Sequence, residues 1–187
     1  MSWISAKRLR GGRDPMTLDG VWGTPRNFFK RLDAEFKFNV DVCATRTLAK
    51  VRRYFSPRID GLKQPWRGAV WCAPPYGAGI ANWIEKAWSS ARTGKATVVC
   101  LVFARTDTGW WRDYCMRADE IRFIAGRLTF EKPGAISHSP MPNALVIFRA
   151  GEGPQHGPQF SVYDWRSFAP NRVRSVPGTQ SSSSGPS

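Results

Sequence analysis

Ala69-Val70-Trp71-Cys72-Ala73-Pro74-Pro75-Tyr76-Gly77 is the stretch on which the fold turns. Ala69 to Cys72 is apolar and short, as suits a buried strand. Two prolines then end it, because proline has no N–H to give to a ladder. The strand therefore runs at its carboxyl end into a stiff turn that carries one aromatic ring, Tyr76. Downstream, Ile80, Trp83, Ile84, Ala87, Trp88 and Ala91 recur at helical spacing, and Gly94 suits the C-terminal stop. Ala96 to Phe103 is a continuous apolar run of strand length, the pattern of a central parallel strand covered on both faces. Upstream, Thr24 is placed to cap a helix with Pro25 at its first position, and Phe28, Phe29, Leu32 and Phe36 share one face. A strand is expected over Phe38 to Cys43, where Phe38, Val40 and Val42 alternate. A further helix is expected from Asp107, carrying Trp110, Trp111 and Tyr114. Later strands are expected at Glu120 to Ile124, Leu128 to Phe130 and Asn143 to Arg149. Buried strands alternating with helices predict a three-layer α/β sandwich around a mostly parallel sheet. Ligands in such sheets sit at the carboxyl ends of the strands.

The 187 residues suit one folded domain, and 42% apolar content is enough for a core. Residues 1–19 read as a flexible basic arm, 20–150 as the folded domain, and 151–187 as a Gly/Pro/Ser-rich extension with a disordered end. Lysine and arginine outnumber acids 28 to 14, a formal charge of +14, which suits a polyanionic partner through counterion release. Cys43, Cys72, Cys100 and Cys115 form no Cys-x-x-Cys pair, and the histidines are His138 and His156. Buried free thiols in a reducing cytoplasm are expected, and no metal. No run approaches the roughly 18 apolar residues of a spanning helix, and the basic N-terminus has no apolar stretch after it, so neither a membrane span nor a signal peptide is expected.

A hydrophobic strand followed by x-Pro-Pro-Tyr resembles the active-site motif of amino-group methyltransferases. Alone, Pro-Pro-Tyr is more often a plain turn. Other short segments accompany it in order: Trp22-Gly23-Thr24-Pro25, Asp41-Val42-Cys43-Ala44, Asp60-Gly61-Leu62 with Trp66, Arg105-Thr106-Asp107-Thr108 with Trp110, Gly126-Arg127-Leu128-Thr129-Phe130, and Pro140-Met141-Pro142-Asn143. Together, from Trp22 to Phe148, they resemble the phage DNA N6-adenine methyltransferase family.

The resemblance implies a Rossmann-like methyltransferase fold, S-adenosylmethionine as methyl donor with S-adenosylhomocysteine as product, DNA as partner, and the cytoplasm of a bacterial host. It implies neither a metal nor an obligate protein partner. Ala73, Pro74, Pro75 and Tyr76 take the catalytic turn. In the family an Asn or Asp opens that turn and its side chain accepts one N–H of the target amine. The carbonyl of the first proline, here Pro74, accepts the other, and Tyr76 stacks on the flipped base. Ala73 has no acceptor, so turnover is expected to be impaired. With the other motifs in place, the alanine reads as a deliberate knockout more than as natural decay.

Thr24, Pro25, Asp41, Cys43 and Asp60 fall where the family's cofactor segments fall. Asp41 either accepts from the donor's ammonium or hydroxyl groups or caps a helix. Asp60 either approaches the donor's adenine or sits in an Asp-Gly turn. For DNA the candidates are Lys7, Arg8, Arg10 and Arg13 in the arm, then Arg105, Asp107, Arg127 and Asn143. Arg127 either meets a phosphate or base or pairs with a surface acid. The Ser139–Asn143 loop either lines the base pocket or is a rigid turn. Trp83 and Trp88 read as core, while one of Trp110 and Trp111 is expected outside. Two other readings stay open: a cytosine N4 methyltransferase, and a non-catalytic nucleic-acid-binding protein on a decayed methyltransferase fold.

Overall fold

The computed structural model describes residues 22–77, 79–132 and 134–167. The elements run α1 (Arg26–Phe36), β1 (Val40–Asp41), β2 (Gly68–Cys72), α2 (Ile80–Arg92), β3 (Ala96–Phe103), α3 (Gly109–Asp113), β4 (Glu120–Ile124), β5 (Thr129–Lys132), β6 (Ala135–His138), β7 (Asn143–Phe148) and β8 (Gln159–Tyr163). Six strands form the main sheet in the order β1-β2-β3-β7-β4-β8, and β5 and β6 form a separate hairpin. β1, β2 and β3 are parallel, β7 is antiparallel to both its neighbours, and β8 is again parallel to β4. The sheet is thus mostly parallel, with one reversed strand inside it.

Two clusters cover its faces. α1 brings Phe28, Phe29 and Leu32 onto Trp71, Val99, Leu101, Leu145 and Ile147. α2 brings Ile80, Trp83, Ile84, Ala87 and Ala91 onto Val70, Cys72, Val98, Cys100 and Val146. β3 is apolar from Val98 to Phe103 because both faces are buried there. Its Leu101 and Cys100 point to opposite clusters, as the two-residue period requires. Each such full burial of a large aliphatic stabilises the fold by roughly 1.5–3 kcal/mol.

The strand bounds expected for β2, β3, β4 and β7 agree with the structure to within one residue. β1 is shorter, because only Val40 and Asp41 satisfy the full ladder with β2. Flanking bonds from Asn39 N–H to the Ala69 carbonyl and from Val42 N–H to the Trp71 carbonyl extend its course. α1 starts differently from the expectation. Pro25 is extended (φ −56°, ψ 132°) and stands at the N-cap, outside the first turn, and Thr24 makes no capping bond. The Arg26 N–H instead donates to the Glu131 carboxylate on β5 at 3.2 Å, so a distant side chain does the capping. α3 is also shorter, beginning at Gly109 rather than Asp107.

β6 and β8 were not expected. β8 brings residues beyond 150 into the main sheet, and its Tyr163 is 9% exposed beneath α1. All four cysteines are buried and free. Burial pushes the Cys43, Cys72 and Cys115 thiols upward. Trp83 and Trp111 are buried, whereas Trp88 and Trp110 are half-exposed at their helix edges.

Candidate active site

β1, β2 and β3 end side by side, so the segments that leave them meet at one edge of the sheet. Trp22, Gly23, Thr24, Asp41, Cys43, Ala44, Leu48, Lys50, Trp71 and Ala73 line a cleft there. Its floor comes from β1 and β2. Its far wall is the segment before α1, which pairs with β5 through Gly23: the Gly23 N–H donates to the Glu131 carbonyl at 2.6 Å and receives a bond back at 3.0 Å. Gly23 has no room for a side chain, since a Cβ there would stand 2.9 Å from Leu48 and 3.2 Å from the Glu131 carbonyl. Thr24, 2% exposed, is carried into the cleft by this pairing.

Asp41 is the buried carboxylate of the site, 2% exposed. Its two oxygens accept the N–H groups of Cys43 at 3.3 Å and Lys50 at 3.1 Å. These bonds fold the chain after β1 back over the strand end. Each carboxylate oxygen keeps a further lone pair. Burial pushes the Asp41 carboxyl up to about 6, against the two N–H groups and the Lys50 charge. Burial likewise lowers the Lys50 ammonium, against the pull of Glu131 and Asp41. One buried anion and one half-buried cation thus share the cleft with the apolar walls of Leu48, Trp71, Ala44 and Ala73.

Ala73 lies at the mouth of β2, half-buried, and Pro74 after it is buried. Tyr76 stacks on Phe103 at 3.7 Å between ring centroids and meets Phe130 edge-on at 6.0 Å. Among the described residues, its hydroxyl and the Asn143 side-chain oxygen are both buried without a hydrogen-bond partner. Burial drives the phenol pKa well up, and the nearby Asn143 amide works in the opposite direction.

The cleft thus gathers Thr24, Asp41, Cys43 and Ala73. Pro25 and Asp60 are not among its lining residues. Asp60 sits in an Asp-Gly turn, with a left-handed backbone (φ 59°) and its side chain accepting from the Leu62 N–H at 3.3 Å. The turn packs so closely on the chain just after β1 that a Cβ on Gly61 would lie 2.1 Å from the Val42 carbonyl. Arg105 and Asp107 rim the end of β3 and pair with each other at 3.2 Å. The Arg105 guanidinium holds the Asp107 carboxyl below its ordinary value. Arg127 is exposed. Asn143 is 1% exposed at the start of β7, with its amide directed to the Val102 carbonyl, so it faces the interior. Lys7, Arg8, Arg10 and Arg13 lie outside the described residues.

Among the lining residues, Leu48, Lys50 and Trp71 carry no motif. Trp71 alone is signalled, by lying on the opposite face of β2 from Val70 and Cys72. Among the described residues no group of three or more His, Cys, Asp or Glu is placed to hold a metal, and no helix is long and apolar enough to cross a membrane.

Fold and site define an α/β protein with a cleft at the carboxyl ends of parallel strands, beside a proline turn and a buried carboxylate. Residues 13–163 match the family described as DNA N-6-adenine-methyltransferase (Dam). The chain belongs to that family. The DNA N-6-adenine-methyltransferase of Haemophilus phage HP1 (strain HP1c1) is 31% identical over 136 residues, covering 68% of this chain and 78% of that protein. The DNA N-6-adenine-methyltransferase of Escherichia phage T1 is 26% identical over 134 residues, covering 70% of this chain and 56% of that protein.

Proposed function

We propose that the chain is built to transfer a methyl group from S-adenosylmethionine to the exocyclic N6 amine of adenine in DNA, and that Ala73 leaves it a poor catalyst. The observation that carries this reading is the cleft itself, where the segments after β1 and β2 and before α1 converge beside the x-Pro-Pro-Tyr turn. Family membership supports the reaction class, and the mostly parallel sheet is compatible with a Rossmann-like methyltransferase fold.

The residues present suit the donor. Asp41 has unused lone pairs toward an ammonium or hydroxyl, and Lys50 offers a cation to a carboxylate. Trp71 and Leu48 offer apolar walls. S-adenosylmethionine supplies a methyl group on a positively charged sulfur when bound.

The rest is the protein's task. An adenine amine is a weak nucleophile because its lone pair is delocalised into the ring. Acceptors against its N–H groups draw it toward a tetrahedral shape and free that lone pair. In this chain the Pro74 carbonyl is one such acceptor, and position 73 supplies no other. Phe103 covers one face of Tyr76, so a flipped base meets the remaining face or edge of the ring. Positioning and electrostatics do the work, and no covalent enzyme intermediate is needed.

The test is calorimetric titration of S-adenosylmethionine into the full chain, followed by methylation of duplex DNA with labelled donor by Ala73→Asn and digestion to nucleosides. Donor binding by both forms and N6-methyladenine from Ala73→Asn are expected. A chain without donor affinity in either form contradicts the reading and favours a non-catalytic binding protein. Modified cytosine alone replaces adenine with cytosine N4 as the target.

A further inference from the structure

We propose that the connection between β1 and β2 is a phosphate-contacting surface for duplex DNA, with Arg46, Arg52, Arg53 and Arg58 as its contacts; this rests on the reading of DNA as substrate. Over residues 45–67 the one acid is Asp60. Its charge is already engaged by Lys63 at 3.7 Å and by the Leu62 N–H. Arg46, Arg52, Arg53 and Arg58 are all exposed, and none has an acidic partner among the described residues.

Several other arginines among the described residues already have acidic partners. Arg92 pairs with Asp119 at 2.7 Å, Arg112 with Asp113 at 2.8 Å, and Arg122 with both Glu35 and Glu120 at 2.7 Å. Arg149 also pairs with Glu120. The sheet is therefore neutralised toward β4 and β7 and left positive at the β1 edge.

The positive edge is also held in place. The Asp41 N–H donates to the Arg53 carbonyl at 2.9 Å, the Phe55 N–H donates to the Asp41 carbonyl at 2.9 Å, and Asp41 bridges Tyr54 in parallel register. Residues 53–55 thus run beside β1 as a short outer strand. The same connection enters the cleft through Ala44, Leu48 and Lys50. Phosphates gripped here would be registered against the cleft. Backbone contacts set orientation in just this way, leaving base chemistry to the site.

The test is fluorescence anisotropy of a labelled DNA duplex from 50 to 200 mM salt. It compares the full chain, the triple variant Arg46→Ala, Arg52→Ala, Arg58→Ala, and a control triple of equal charge, Lys30→Ala, Lys95→Ala, Arg117→Ala. Thermal melts check that each variant is folded. Because each phosphate contact contributes about 0.9 to the log–log salt slope, the first triple should flatten it by roughly two to three. The control should keep the parental slope. A first triple with the parental slope, or a control that flattens equally, overturns the surface while leaving DNA as substrate. A parent chain that binds no duplex at any salt overturns the substrate reading and the surface with it. Loss of affinity for RNA of the same length but not for the duplex also overturns the proposal, in favour of an RNA partner.

Discussion

Tyr76 lies flat against Phe103, with 3.7 Å between ring centroids and 9° between the planes. Phe103 ends β3 and Tyr76 follows β2, so the stack ties the proline turn to the neighbouring strand. Among the described residues the Tyr76 hydroxyl is buried without a hydrogen-bond partner, and so is the Asn143 oxygen. Removing the hydroxyl should therefore cost little. Tyr76→Phe is expected to fold with unchanged or slightly raised Tm. Tyr76→Ala is expected to lose about 3–5 kcal/mol, the usual cost of deleting a packed aromatic ring. In an active background Tyr76→Ala should also lower methylation, because stacking on a base is worth about 1–3 kcal/mol. Denaturant melts and labelled-donor assays check both, and a Tyr76→Phe as damaged as Tyr76→Ala would show that the hydroxyl has a partner in solution.

Restoring an acceptor at position 73 should restore turnover. Ala73→Asn is expected to exceed the parent by about 100- to 1000-fold, the usual effect of one transition-state hydrogen bond. Ala73→Asp should do no better, since it must keep a charge in a partly dry site. The check is single-turnover methylation of an adenine-containing duplex. A parent chain as fast as Ala73→Asn would remove this turn from the catalytic machinery.

Asp41 gives a pH dependence of known sign. Burial raises its carboxyl from 3.8 to about 6 in the fold. A raised carboxyl pKa favours the protonated fold, so its stabilising effect is full below about pH 4 and is lost as pH rises through 6. The loss is on the order of 3 kcal/mol. Donor binding through the ionised carboxylate runs the opposite way and should weaken as pH falls through 6. Asp41→Asn should lower donor affinity at least about tenfold at pH 7.5, since a hydrogen bond to a charged group is worth about 1.5–3 kcal/mol. It should also flatten the pH profile. Calorimetry from pH 5 to 8 reads both, and parental affinity in Asp41→Asn would exclude the carboxylate from the donor site.

Phe28 on α1 meets both Tyr163 and Trp165 edge-on, at 6.1 and 5.7 Å. A chain ended at Ala150 loses β8 and both rings and uncovers the edge of β4. It is expected to melt well below the full chain or to aggregate through the bared strand. Circular dichroism melts and size-exclusion chromatography check this. A truncated chain with parental Tm would make β8 dispensable.

Much of this was legible in residue order. The continuous apolar run Ala96 to Phe103 and the helical spacing of Ile80, Trp83, Ile84 and Ala87 appear in the structure as β3 and α2. The proline pair ends β2 as its missing N–H groups require. β6 and β8 escaped because they are exposed or edge strands. Their outward residues include Ile136 and Val162, so apolar side chains do not mark the buried face. The start of α1 escaped because Glu131, 105 residues away, supplies the cap that Thr24 was expected to supply.

Local periodicity determines which side of each strand or helix is apolar, since backbone geometry alone sets how side chains alternate. The sequence by itself therefore determined the layers, the carboxyl-end turn at Ala73 and the family. What it left to the tertiary structure was the cleft: that Asp41 and Lys50 share a wall with Ala73, that Asp60 turns away, and that Asn143 faces inward. Those relations follow from the strand order β1-β2-β3-β7-β4-β8 and from contacts such as Gly23 with Glu131. They join residues far apart in the chain, and the physical reason they are not readable locally is that no residue's own backbone preference specifies which distant partner it will meet.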